Sequence, residues 1–471
     1  MQAEERNGGN CEYRTVPPAT TANNSLSPLQ QSSSSAEYGI RHVSSTSNSP
    51  ESRATRPAFP PVFFLDADLF HRAQLELPLP GLTVPLYVSD LLGGTDSIRE
   101  MATSFFSDVH PWIPLISKVW FYNHLINPLS PPRADATLLL ISIRLITWVP
   151  SIFKDPYTPV YLATKQFFRE LETAGTLNIR GVQAGVLIAL YELGHGIYPA
   201  AYVSVGLCAR FAVALGFDKD IKRGNITGLP WDKLEERRRV WWAILILDRF
   251  MNLGNPSRML ATADPIASDI LPADDISWEQ GIISSSDPFT IGSLSQLNMG
   301  RFARFAQATY HLGQVFKHIS QPRDDAFYQQ EAIQLNRTLH ALVNLSQSEA
   351  DVRNLEFCTQ TAVCYSALLL LEYPPSQNSR DMTLDHQPDD YPVISPEAIS
   401  RETASMSQNF LPGGSLALVQ VSPFILHLLY QTIIILSNVS PGPGSGDDIK
   451  SLTILRGALK LLTERWLAAG I

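Results

Sequence analysis

Cysteine is scarce: four in 471 residues, too few and too scattered for a disulfide framework. Charge is thin as well, at 17% of positions, with a net value of −9. An acidic chain does not grip nucleic acid over its whole surface, because phosphate binding needs a surplus of Lys and Arg. Long apolar runs are missing. A membrane span needs about 20 mostly apolar residues, and the best stretches are 138–149 (broken by Arg144), 240–247, and 424–436 (broken by His427 and Gln431). The acidic start Met1-Gln2-Ala3-Glu4-Glu5 has no apolar stretch behind it, so it is no secretory signal. These absences point to a reducing compartment, cytosol or nucleus.

Catalytic signatures are missing too. Gly442, Gly444 and Gly446 alternate with Pro443 and Ser445 in a polar loop, with no strand before them to make a phosphate cradle. No hydrolase elbow or zinc-protease motif occurs. Cys358 and Cys364 are six apart on one expected helix, on nearly opposite sides, and cannot share an ion. Cys208 is expected to be a buried structural thiol. His110, beside Pro111-Trp112, and His195, between two glycines, read as satisfied local groups. The chain is therefore expected not to be an enzyme; an all-α enzyme without a motif is a distant rival.

What is present is helical texture after a low-complexity start. Ser, Thr, Pro and Asn fill 20 of the 34 positions in 17–50, a stretch expected to be disordered. Prolines 57, 60, 61, 78, 80 and 85 deny a long helix, so 17–96 reads as a disordered or extended linker. From about residue 97 apolar residues recur three and four apart. The pattern predicts helices over 97–106, 114–125, 134–149, 158–174, 180–193, 199–216, 231–253, 301–319, 327–344, 354–371, 416–436 and 449–468. Breaks are expected at 263–295, 373–414 and 440–447. The fold class is all-α: a large domain of packed helix pairs over 97–471, without a fixed repeat.

The segment 231–253 carries the most information. Glu235 and Glu236 precede Arg237, Arg238 and Arg239, then comes the all-apolar run Val240–Leu247 with Trp241 and Trp242, then Asp248-Arg249-Phe250. Glu235 and Arg239 have i,i+4 spacing and can pair. The run predicts a helix buried on most sides. Asp248 then needs a basic partner, since an unpaired buried charge is expensive; Arg210 on the preceding helix is the candidate. Arg237–Arg239 read as a solvated or ion-paired face rather than a DNA contact.

These residues resemble a known family. Glu235–Arg249, then Gly254-Asn255-Pro256, Ala263-Asp264 and Leu271-Pro272-Ala273-Asp274-Asp275, are similar to the middle homology region of fungal-specific transcription factors. That pattern reads Arg-Arg-x-Trp-Trp, Asp-Arg, Gly-Arg-Pro, with Asn255 here in place of the last arginine. Val109-His110-Pro111-Trp112-Ile113-Pro114-Leu115 resembles the family's opening motif, and Ala200–Phe217 its Ala-Arg-x-x-x-x-Leu-Gly helix. The likeness covers about 105–345. It implies a nuclear regulator of a gene set, such as a metabolic or biosynthetic cluster. It further implies DNA as the partner of a complete head, and a homodimer mate, transcription-machinery partner or small effector held by the helical body. No membrane partner is implied.

The family also implies zinc, bound by an N-terminal binuclear cluster of six cysteines. Gly8-Gly9-Asn10-Cys11-Glu12-Tyr13-Arg14 looks like the end of that cluster, making 1–16 a remnant and Cys11 an orphan ligand. The preceding cysteine would fall at 2, 3 or 4, which are Gln2, Ala3 and Glu4, so five of six ligands are absent. The expectation is a regulator acting through its helical domain. The alternative is a helical interaction protein, without DNA binding of its own, that modulates a related regulator.

Overall fold

The structure, a computed structural model, describes residues 65–66, 69, 82–126, 133–150, 155–175, 178–222, 229–282, 288–294, 299–321, 326–353, 359–373, 395–438 and 445–470. Cys11, Cys358, the low-complexity stretch 17–50, Gly442 and Gly444 lie outside them, whereas Gly446 stands in a helix, Ser445–Leu462, rather than in a loop.

The described residues are overwhelmingly helical, as the spacing predicts. In chain order the helices are α1 (Leu86–Leu92), α2 (Thr95–Ser104, running into a π-turn Phe105–Val109), α3 (Lys118–Trp120, running into a π-turn Phe121–Leu125), α4 (Ala134–Ile146) and α5 (Pro159–Thr173). Next come α6 (Ile179–Gly194), α7 (Ala200–Ala214), α8 (Trp231–Phe250), α9 (Asp275–Glu279) and α10 (Arg301–Ser320). The last are α11 (Ala326–Arg353), α12 (Thr359–Glu372), α13 (Pro396–Ser407), α14 (Leu426–Asn438) and α15 (Ser445–Leu462). Among the described residues, extended pairing is confined to an isolated bridge between Ile270 and Thr290. No helix of the described residues is long and apolar enough to cross a membrane.

Local chemistry sets many of the ends. Thr158 caps α5 by accepting from Tyr161 N, with Pro159 at the first position, where its missing N–H costs nothing. Asn178 caps α6 through Gly181 N. Past α7 the chain reverses at Gly216, whose φ of 76° lies in the left-handed region that a side chain disfavours.

Three expected boundaries need correction. The stretch 82–96 is not extended: α1 and the start of α2 occupy it, with Val88 and Leu92 buried. The expected break 373–414 contains α13, whose Ser395 cap accepts from Ala398 N. The helix expected from 416 starts at Leu426. Short 3-10 turns at Leu418–Gln420 and Pro423–Ile425 precede it, because Pro423 lacks the N–H that a continuing helix requires.

The helices share one apolar core. α6 lies between α4 and α7, and α5 closes the same layer. α8 runs against α6, α7 and α10. α12 packs on α10 and α11, and α13, α14 and α15 pack on one another, with α14 reaching α12. The turn after α15 returns to the first layer. Arg465 donates to the carbonyls of Ile146 (2.9 Å) and Trp148 (2.9 Å) at the end of α4. The Trp466 ring lies against Gly194 in α6, where an added Cβ would stand 2.2 Å from it. Trp466 Nε1 donates to Val421 O, and Leu467 N donates to His195 Nδ1.

A buried ion-pair rack around the central helix

Every residue of α8 from Arg238 to Phe250 is buried, with Glu235 and Glu236 before it. Its charged ends therefore act inside the protein, and each ties α8 to a different segment.

At the N-terminal half, Glu235 accepts from Arg238 (2.6 Å), Arg239 (2.9 Å) and the backbone N–H of Ala273 (2.7 Å). Arg239 also donates to Asp275 (2.9 Å) and to Ala273 O, and its guanidinium lies over the Trp278 ring at 4.1 Å. Asp275 in turn accepts from Phe302 N at the start of α10. Glu236 accepts from Arg180 Nη1 (2.6 Å), Arg180 Nη2 (3.1 Å), Gln183 (3.0 Å) and Ser117 N (3.3 Å). Burial alone would raise its pKa, but the Arg180 charge and these donors outweigh burial and leave it lowered. The Arg180 guanidinium lies over Trp120, its carbon 3.3 Å from the ring centroid. Arg237 donates to Asp220 (2.6 Å) and to Leu215 O (2.8 Å). Burial still raises the Asp220 pKa, opposed by Arg237.

The C-terminal half is built the same way. Asp248 accepts from Ala261 N (3.1 Å), Thr262 N (2.9 Å), the Thr262 hydroxyl (2.7 Å) and Arg249 (2.9 Å). Arg249 donates to Thr262 Oγ1, to Asp264 (2.7 Å) and to Ala263 O. Lys317 on α10 reaches the other oxygen of Asp264 at 3.1 Å. Trp242 Nε1 donates to Ile270 O (3.0 Å), whereas Trp241 Nε1, also buried, meets no acceptor among the described residues.

The expected site residues thus divide. Arg238, Arg239, Trp241, Trp242, Asp248 and Arg249 come together in and around one helix. Glu235 pairs with Arg239 as its spacing predicts. Arg210 does not join them: it is exposed on α7, and the basic partner of Asp248 is its own neighbour Arg249. The loop 261–264 folds back to hold both side chains, which helix spacing cannot reveal. Arg237–Arg239 are ion-paired and mostly buried, not solvated. Sequence reasoning missed Arg180, Gln183 and Ser117; the signal available was Arg180 and Gln183 three apart at the start of an otherwise apolar helix.

Burial disfavours the charged form of His110 and His195. His110 Nε2 donates to Ile116 O (3.1 Å) and the ring stacks on Trp278; burial pulls its pKa to about 4. His195 sits among Trp148, Tyr191 and Trp466, with its pKa pulled to about 3 by burial and then by Arg465. Cys208 is buried and its thiol is pushed up to about 12, chiefly by burial. Among the described residues no three His, Cys, Asp or Glu are grouped to hold a metal ion.

The polar interior of this helical body is taken up by ion pairs between its own segments. The model of the fungal specific transcription factor domain matches residues 102–388, and the chain belongs to that family. This span takes in α8 and every segment tied to it. The chain is 36% identical over 156 residues to transcription factor BOA15 of Botryotinia fuckeliana, a match covering 32% of this chain and 85% of that protein. It is 29% identical over 161 residues to transcription factor tazR of Aspergillus terreus (33% of this chain, 26% of that protein). It is 24% identical over 215 residues to the azaphilone cluster-specific transcription factor azaR of Aspergillus niger (43% and 44%). The chain therefore spans about a quarter of tazR and under half of azaR. No solved structure matches it.

Proposed function

We propose that this chain is the regulatory body of a nuclear transcription regulator that controls a group of genes, such as a biosynthetic cluster. The observation that carries the reading is the family match over 102–388, with the α8 rack at its centre. The rack holds segments 115–117, 215–220, 261–264 and 270–275 against one helix, so the body responds as a unit to whatever it binds.

DNA reading is assigned to a head outside this body. Arg237, Arg238 and Arg239 are each held by carboxylates and are withheld from phosphates. A binuclear zinc cluster does not fit residues 1–471. The chain has four cysteines; Cys208 and Cys364 are buried in the helical body, and Cys11 would supply one thiolate where six are needed. A second reading, in which the chain modulates a related regulator by binding it, is supported by the arginines of α8 being taken up by carboxylates of the same chain.

Transcript profiling after deletion and after overexpression of the gene tests the regulator role; a coherent gene set should move in both. No change in either would overturn it. In a mobility-shift assay the purified chain should show weak, salt-sensitive and non-selective DNA binding. Five cysteines at cluster spacing encoded just upstream of Met1 would favour the first reading over the second.

A further inference from the structure

α1 lies inside the stretch whose prolines read as extended linker. Its seven residues are too few for a helix to persist alone in water, where about 12–15 are needed. No acidic residue sits in its first turn, no basic residue in its last, and Pro85 at its cap offers no side-chain acceptor. Helix formation and docking are therefore one event. The docked face is narrow: Val88 and Leu92 are buried, with Leu82, Val84, Tyr87 and Leu91 partly buried against the core. It packs on α4 and α5. The opposite side is open to water, with Leu86 80% exposed and Ser89 and Asp90 exposed beside it.

The polar ties of α1 can break without stranding a buried charge. Tyr87 OH donates to Glu170 on α5 (3.0 Å), and Glu170 also accepts from Gln166 (2.9 Å). Arg144 on α4 donates to Leu92 O (3.2 Å) and to Ser97 in α2 (3.1 Å), so one partner stays when α1 leaves. Glu170 and Arg144 are both half-buried, within reach of water. Two glycines then join α1 to α2. Gly93 has a φ of 74°, and a Cβ added at Gly94 would meet nothing within 4 Å, so no side chain blocks rotation at this joint.

We propose that α1 is a releasable strap. Docked on α4 and α5, it makes the preceding chain leave the body at residue 82. Undocked, it swings about Gly93-Gly94 and adds residues 82–94 to the tether, a gain in reach of at most about 45 Å. The helices α2, α4 and α5 stay folded in both states. The fold thus holds two tether lengths for whatever lies N-terminal to residue 82, and the groove between α4 and α5 is kept for the chain's own strap.

Hydrogen exchange of the full chain tests this. Amides 88–93 should exchange together, at least about tenfold faster than those of 138–146 and 163–173. Val88→Asp should bring 88–93 close to unprotected rates, leave 138–146 protected, and lower the melting temperature by no more than about 3 °C. Tyr87→Phe removes only the tie to Glu170 and should speed exchange of 88–93 several-fold without changing 138–146, so the strap is tested even where Val88→Asp does not fold. A labelled peptide of residues 82–94, at up to about 100 µM, should bind the Val88→Asp chain at least about tenfold more tightly than the wild type, whose groove is filled. Exchange of 88–93 at the rate of α4 would overturn the proposal. So would a Tyr87→Phe change that speeds α4 equally, or equal peptide binding to both chains.

Discussion

Glu236→Gln is the sharpest test of the rack. Glu236 and Arg180 leave 1% and 7% of their side chains exposed, so the exposed-pair value of about 0–1 kcal/mol does not apply. Removing one partner of a buried pair costs about 3–5 kcal/mol, because the other charge remains buried without compensation. Arg180 keeps Gln183 Oε1 and the Trp120 face, which places the cost near the low end, about 3 kcal/mol. At this size that corresponds to a melting temperature lowered by roughly 3–4 °C. The amide also loses an acceptor for Ser117 N or Gln183, so hydrogen exchange should rise first in 113–121. Arg180→Met combined with Glu236→Gln removes both charges and should recover more than half of the loss, a coupling of about 2 kcal/mol. Because the Glu236 pKa is lowered in the fold, its contribution is present above the unfolded carboxylate range and is lost as pH falls through the folded value. The gap between wild type and variant should therefore narrow in acid. A loss under about 1 kcal/mol, or strictly additive single effects, would refute the reasoning.

Two further outcomes follow from the same geometry. Gly194→Ala should destabilise the protein strongly, since the new Cβ collides with the Trp466 ring, while Gly206→Ala should stabilise by up to about 1 kcal/mol; thermal melts of opposite sign check the pair. His110 and His195 stay neutral in the fold, at about 4 and about 3, against about 6.5 in the unfolded chain. The unfolded state thus binds more protons below pH 6.5, and stability should fall from there toward pH 4 by about 1.4 kcal/mol per unit for each histidine. Equal melting points at pH 7 and pH 5 would contradict this.

Helical class and the central helix were legible because both rest on local pattern. The run Val240–Leu247 is apolar all round, and Glu235 and Arg239 are a turn apart. What the sequence concealed depends on chain reversal. Asp248 could be seen to need a cation, but the loop that brings Thr262 and Asp264 to Arg249 decides which one, and no helical period encodes a loop. Arg210 looked suitable by its place on the preceding helix and instead faces outward. Other misses were readable in principle. Ser395-Pro396-Glu397 is a helix-start signature, and Pro423 forbids an unbroken helix from 416 to 436. The π-turns after α2 and α3 left no mark in the apolar spacing.

The clasp of Arg465 and Trp466 on α4 and α6 has a consequence for synthesis. The terminal carbonyl of α4 at Ile146 waits for a donor 319 positions downstream. A ribosome adding roughly 5–20 residues per second needs some tens of seconds to deliver it. Throughout that interval the earliest layer carries an unfilled slot at Gly194 and unanswered carbonyls. Nascent chains stalled before codon 465 should accordingly lean on chaperones, and a late frameshift should be as damaging as an early one.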